Sequence, residues 1–228
     1  MSQNEEDADS DEIKIILIGD SGVGKTNFIF QFTEGRFSPI HVTTVGFDYK
    51  SKIIKLPSSK KSVKLQIWDT AGQERYMAIN KSLFQKVQGV ILMYDLTNRD
   101  SYENVTKWLN LVNQSVSNKI IALVGNKLDL AEEKRIVSNT EGEQLAKDNK
   151  ILFFEGSGSS GQNVDFIFST ISQAIYNNLM EDKSIQGGQN LNLNNKNNNL
   201  KRKCCKWIIY LWLFILKINI NKIIRIKF

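Results

Sequence analysis

The stretch Ile13-Lys14-Ile15-Ile16-Leu17-Ile18-Gly19-Asp20-Ser21-Gly22-Val23-Gly24-Lys25-Thr26 decides the fold. Ile13 to Ile18 is a short apolar, β-branched run, the pattern of a buried strand, and glycine-rich sequence follows it at once. Lys25 to Phe32 suits a helix. Gly19 to Thr26 satisfy G-x-x-x-x-G-K-[ST] between that strand and that helix, which is the context the motif requires. The glycines let the backbone curl so that successive N–H groups point inward at phosphate oxygens, and the helix N-terminus adds its dipole. Gly19, Asp20, Ser21, Gly22, Val23, Gly24, Lys25 and Thr26 are therefore candidate phosphate-binding residues. Lys25 bridges the β- and γ-phosphates in this reading, and the Thr26 hydroxyl is a hard oxygen ligand for Mg²⁺, which takes few protein ligands and keeps several waters. A plain turn before a helix needs neither the lysine nor the hydroxyl.

Working outward, alternating sequence from Phe47 to Leu56 and from Val63 to Trp68, divided by Pro57, Ser58 and Ser59, reads as a β-hairpin with a loop of several residues. Beyond it, buried-strand runs Gly89 to Tyr94, Ile120 to Gly125 and Ile151 to Phe154 alternate with helical segments after Ser101, Ser138 and Asn163. This is an α/β chain with a mostly parallel sheet. Ser138-Asn139-Thr140-Glu141 has capping-box form, and Val164, Phe168, Ile171, Ile175 and Leu179 recur at helical spacing. No internal repeat is found.

A phosphate loop alone does not choose the base. Asn126, Lys127 and Asp129 follow the strand Ile120 to Gly125, where a ligand-facing loop belongs. They form N-K-x-D. Guanine offers N1–H and the 2-amino group side by side, and one carboxylate, Asp129, pairs with both. Adenine offers no such pair and leaves the carboxylate unsatisfied, a difference that supports discrimination of ~10⁴-fold or more, so GTP and GDP are expected over ATP and ADP.

With these residues in place, the sequence resembles the Ras superfamily of small GTPases, in particular its Rab branch, over about Ile13 to Met180. Trp68-Asp69-Thr70-Ala71-Gly72-Gln73-Glu74-Arg75-Tyr76 is similar to the Rab switch II motif, and Thr43-Thr44-Val45-Gly46-Phe47-Asp48-Tyr49 is similar to the end of Rab switch I. The resemblance implies the P-loop small GTPase fold, a six-stranded, mostly parallel sheet with one antiparallel edge strand, flanked by helices. It further implies that Thr44 is the second protein ligand of Mg²⁺ with GTP bound, that Asp69 holds the ion through water, and that the Gly72 amide touches the γ-phosphate. By the same resemblance Phe37 lies beside the guanine and Gln73 orients the attacking water, catalysis by positioning with little covalent chemistry. No arginine stands where the family would use one as a finger in cis, so intrinsic hydrolysis of order 10⁻⁴ to 10⁻³ per second is expected, accelerated by an activating protein. The implied protein is a GTP/GDP switch that regulates vesicle traffic, works with an exchange factor, and recruits effectors in its GTP state, when the γ-phosphate orders both switch loops.

The sequence also departs from the family. Ser157-Gly158-Ser159 replaces the usual Ser-Ala-Lys guanine loop: the Gly158 amide still reaches the base, but the lysine stem that covers its face is gone, so weaker nucleotide retention is expected. Leu83-Phe84-Gln85-Lys86-Val87 replaces a segment usually rich in Tyr, Arg and Gly, which implies divergent effectors. The hairpin around Pro57 to Ser62 is about two residues longer than usual, a cheap insertion. His41, the single histidine, reads as an exposed switch I residue.

Composition bounds the rest. The 228 residues are 41% hydrophobic and 24% charged, which suits one globular domain with tails and excludes a membrane bundle or a disordered polymer. The net charge of +6 is uneven: residues 1–12 hold six acids and no base, residues after Asp182 hold ten bases and no acid, and 20 bases meet 18 acids between. A nucleic-acid binder would carry its positive charge on the folded body; a basic tail points to an anionic membrane surface instead. The expected organisation is an acidic N-terminal tail (1–12), a GTPase domain (13–182), an Asn-rich basic linker (183–203) and a C-terminal tail (204–228).

Cys204 and Cys205 are adjacent, their Cα atoms about 3.8 Å apart, short of the ~4.4 Å at which disulfides begin, so neither a disulfide framework nor a cysteine metal site exists. The acidic N-terminus lacks the form of a signal peptide, and a cytoplasmic, monomeric protein on the cytosolic face of a membrane is expected. After Lys201, Arg202 and Lys203, the cysteine pair resembles the Rab geranylgeranyl acceptor. Twenty-three residues follow it, opening with the ten-residue apolar run Trp207 to Leu216. As helix that run spans ~15 Å, about half of a ~30 Å hydrocarbon layer, and cannot cross a membrane. The narrow residue palette of Lys206 to Phe228 fits an AT-rich stretch read past a stop; an interfacial segment that replaces lipid and an aggregation-prone tail stay open. Two other classes compete with the switch: a guanine-nucleotide-binding adaptor that does not hydrolyse, against which Gln73 and Thr44 speak, and a P-loop kinase, whose lid arginines are not evident.

Overall fold

A computed structural model describes residues 11–39, 47–59, 61–70, 84–115 and 119–188. Of the expected site residues, Thr44, Gly72, Gln73, Cys204 and Cys205 lie outside the described residues, as do His41 and the Asn-rich segment beyond Gly188. By its contacts the chain divides into two units, Met1–Asp182 and Lys183–Phe228; the described residues of the second, 183–188, are helical.

The chain order is β1 (Asp11–Ile18), α1 (Lys25–Glu34), β2 (Phe47–Lys55), β3 (Ser62–Thr70), β4 (Gly89–Asp95), α2 (Arg99–Glu103), α3 (Val105–Ser115), β5 (Ile120–Asn126), a 3₁₀ turn (Leu128–Leu130), α4 (Ala131–Lys134), α5 (Asn139–Asn149), β6 (Leu152–Glu155) and α6 (Val164–Gly188). Among the described residues the strands make one six-stranded sheet in the order β2-β3-β1-β4-β5-β6. β1 lies parallel between β3 (Ile13 opposite Leu65) and β4 (Ile16 opposite Val90), and β4, β5 and β6 continue in parallel. Among the described strands only the edge pair β2 and β3 is antiparallel, with Tyr49 opposite Trp68.

Strand periodicity of two explains the layers. Ile13, Ile15 and Leu17 enter one core with Phe28, Ile29 and Phe32 of α1 and Phe168, Ile171 and Ile175 of α6. Ile16 and Ile18 enter the opposite core with Val105, Trp108, Leu109 and Val112 of α3. Both faces of β1 are thus covered, which is why Ile13 to Ile18 reads as an apolar run broken at Lys14 alone. Its five fully buried aliphatic side chains each contribute about 1.5–3 kcal/mol by burial. Phe84 and Val87, within the divergent segment after switch II, are also buried in the second core.

Some boundaries differ from the sequence reading. β1 starts at Asp11, whose carboxylate takes Lys61 at 2.8 Å, so two residues of the acidic tail belong to the sheet. α2 starts before Ser101, because the Asn98 side chain accepts from the Ser101 amide and caps it, and Asn104 then separates α2 from α3. The 3₁₀ turn and the four-residue α4 are too short to show periodicity in sequence. α6 runs through residue 188, six residues into the segment expected as linker. The Ser138–Glu141 capping box forms as its sequence form requires. No helix among the described residues is long and apolar enough to cross a membrane.

Candidate functional site

Parallel strands aim their C-terminal ends at one rim of the sheet, where the end of β3 and the loops after β1, β4, β5 and β6 meet. The loop after β1 needs glycine for steric reasons. Gly19 has φ +135°, and a Cβ there would lie 2.2 Å from the Met93 carbonyl oxygen of β4. At Gly24, with φ +95°, a Cβ would lie 2.5 Å from Asn126 Nδ2. The loop can therefore press against β4 and β5 only without side chains at those points.

Lys25 opens α1 and is buried, and its Nζ donates to the main-chain oxygens of Gly19 and Asp20, each at 2.8 Å. Burial pulls its pKa down to about 8, against the opposing pull of Asp69 and Asp20. Next to it the Thr26 hydroxyl donates to Asp69 Oδ2 at 2.6 Å. Asp69 sits at the end of β3, whose tip is tied to β1 by Thr70 Oγ1 donating to Leu17 O at 2.7 Å. A hydroxyl and a carboxylate this close, beside an anion-binding loop, are the hard-oxygen donor set that suits Mg²⁺.

At the end of β5, Asn126 is 3% exposed and uses both ends of its amide. Nδ2 donates to Val23 O of the first loop at 2.7 Å, and Oδ1 accepts from the Gly158 amide at 3.0 Å. One side chain thus joins the loops after β1 and β6. Lys127 adopts left-handed backbone, φ 67°, and its Nζ pairs with Asp95 Oδ2 at 2.7 Å. The other oxygen of Asp95 accepts from the amide and hydroxyl of Thr97 at 2.8 and 2.7 Å. Asp129 is held by Ser157 Oγ, 2.5 Å from its Oδ1, and Ser157 Oγ accepts in turn from the amides of Ser159 and Ser160 at 3.2 and 3.0 Å.

The sequence-expected residues Gly19 to Thr26, Asp69, Asn126, Lys127, Asp129, Ser157 and Gly158 are gathered at this rim. Phe37, 45% exposed, lies on the segment after α1, where the Asn27 side chain grips both the amide and the carbonyl of Ser38 at 3.2 and 2.9 Å. The Gly158 amide, expected at the base, donates here to Asn126. A Cβ on Gly158 would come within 3.0 Å of the Phe28 amide nitrogen, so glycine lets this loop sit closer to α1 than alanine would. Sequence reading missed Asn27, Asp95, Asn104 and Trp108, the last two because they hold Asp20 from 84 and 88 residues away. No motif spacing marks them.

The sequence profile of the Ras family matches residues 14–177. The chain belongs to the Ras family. Its relatives place it in the Rab branch. It is 42% identical over 163 residues to Ras-related protein Rab-10 of Diplobatis ommata, covering 71% of this chain and 80% of that one. To Ras-related protein SEC4 of Saccharomyces cerevisiae it is 39% identical over 199 residues, covering 85% and 91%. To GTP-binding protein ypt2 of Schizosaccharomyces pombe it is 38% identical over 194 residues, covering 85% and 96%. A Ras-family sheet with β2 as its antiparallel edge is what the described strands form.

Proposed function

We propose that this Rab-family small GTPase, which hydrolyses GTP and regulates vesicle traffic, works through the rim just described, with Gly19 to Thr26 holding the phosphates and Asn126, Lys127 and Asp129 reading guanine. Ser157 and Gly158 complete the base pocket and Phe37 flanks it. The observation that carries this assignment is Asn126, whose amide bonds Val23 of the phosphate loop and Gly158 of the base loop at once. Base reading and phosphate grip then belong to one site.

Thr26 and Thr44 would hold Mg²⁺ directly and Asp69 through water, and the bound ion supplies charge neutralisation for phosphoryl transfer. Gln73 orients the attacking water, and Thr44 and Gly72 touch the γ-phosphate, so that both loops loosen when it leaves. Unaided turnover of order 10⁻⁴ to 10⁻³ per second makes the protein a timer, set by an activating protein and reset by an exchange factor. Residues 13–182 are the GTPase domain of a monomer. The basic linker 183–203 and the tail from Cys204 and Cys205, lipidated or interfacial, hold the domain against the cytosolic face of a membrane, where the GTP state recruits effectors.

Affinity for GDP and ADP on purified protein, followed by single-turnover GTP hydrolysis, tests this. GDP preferred by ~10⁴-fold, with hydrolysis lost in Gln73→Leu, is the expected outcome. Comparable GDP and ADP affinities would end the guanine assignment, and GTP binding without hydrolysis would make the chain an adaptor.

A further inference from the structure

An acid stands inside the anion-binding loop. Asp20 follows Gly19 in the cradle, and its carboxylate has the same sign as the phosphates that the loop amides are arranged to hold. Lys25 does not take that carboxylate, since its Nζ bonds the main-chain oxygens of Gly19 and Asp20. Two neutral donors from the α2–α3 junction take it instead. Asn104 Nδ2 donates to Oδ2 at 2.7 Å and Trp108 Nε1 donates to Oδ1 at 2.8 Å. The two residues are four apart, one helical turn on one face. Lys107 Nζ donates to Asn104 Oδ1 at 2.6 Å, which sets the amide with its NH₂ toward Asp20. The indole of Trp108 is 2% exposed and packed in the core, so its donor cannot swing away.

Resting on the reading of Gly19 to Thr26 as the phosphate cradle, we propose that Asn104 and Trp108 are positioning residues of that site: they hold the Asp20 carboxylate on the helix side of the loop, off the bound phosphates. Without them the carboxylate is free to turn toward the ligand. The resulting repulsion rises with the number of phosphate charges, falls with salt, and vanishes when the acid itself is removed.

Release of fluorescent GDP and GTP analogues from the full-length chain tests this, using Trp108→Phe, Asn104→Ala, the pair, Asp20→Ala, and the pair combined with Asp20→Ala. The pair should release GDP about tenfold faster than the unmodified chain, the scale of a lost charged hydrogen bond, and GTP faster still, with both gaps narrowing in high salt. Adding Asp20→Ala to the pair should return release to the rate of Asp20→Ala alone, a rescue that a packing role for Trp108 and Asn104 does not give. In ¹H–¹⁵N spectra the Trp108 indole peak, identified by its loss in Trp108→Phe, should shift in Asp20→Ala, which serves even where the pair fails to fold. Unmodified chain that does not bind GDP would sink the phosphate-cradle reading. GDP binding with release unchanged in the pair, no rescue by Asp20→Ala, or an indole peak that stays in place would overturn the positioning role alone.

Discussion

Lys25 is a lysine that burial has made easier to deprotonate, and the consequence runs in a definite direction. In the fold it loses its proton near pH 8, whereas the unfolded chain keeps it until near 10.5. Between those values the unfolded state binds more protons, so stability rises with pH across the window. Phosphate oxygens at the same lysine favour its charged form. Nucleotide binding should therefore take up a proton above pH 8, and GDP affinity should fall as pH climbs from there. Calorimetry at about pH 9 in two buffers of different ionisation enthalpy checks it, and zero proton uptake would contradict it. At Gly158 the expected effect is steric: Gly158→Ala puts a methyl group against the α1 backbone and should destabilise by about 1–3 kcal/mol in urea unfolding. Ser159→Lys next to it adds a stem over the base and should slow GDP release; an unchanged rate would contradict the expectation that Ser159 weakens nucleotide retention.

Among the elements, α5 shows how local chemistry sets a boundary. Ser138 accepts from the Glu141 amide while Glu141 returns a bond to the Ser138 amide at 2.9 Å. Glu141 also takes Arg99 at 2.6 Å, and with the Ser138 bonds this pulls its carboxyl pKa down to about 2. Whatever stability that carboxylate contributes is present above its ordinary pKa near 4.5 and is lost as pH falls from there toward 2. Ser138→Ala should cost about 1 kcal/mol at neutral pH and flatten that acid limb, as read by thermal melts across pH. The cap was legible because its two members are three residues apart. Asn98 capping α2 was not, since Ser101 looked like the start and the true cap lies three residues upstream. The layout of β1, β4 and β5 could be read from their apolar runs, whereas the extent of α6 could not, because its last turns carry no apolar stripe.

At the scale of the molecule, among the described residues, two cores on opposite faces of one sheet carry the stability, and α6 meets α1 in the first through Phe168, stacked on Phe32 at 4.1 Å between ring centres and 5.8 Å from Phe28. Phe168→Ala should cost about 3–5 kcal/mol in denaturant unfolding, and a loss under 1 kcal/mol would mean that this cluster is not where α6 is anchored. The phosphate loop and N-K-x-D were readable because each is contiguous in sequence. The links among them were not: Asn126 to Val23 and Asp20 to Trp108 span 103 and 88 residues and exist only once the sheet has formed. Of those links Asn126 reaches furthest, because one planar amide ties the loop after β1 to the loop after β6. Guanosine and inorganic pyrophosphate, offered separately, should each bind more weakly than their shares of GDP affinity, and supplying one should sharpen the grip on the other: the nucleotide is sensed as a whole, and its fragments are cooperative ligands.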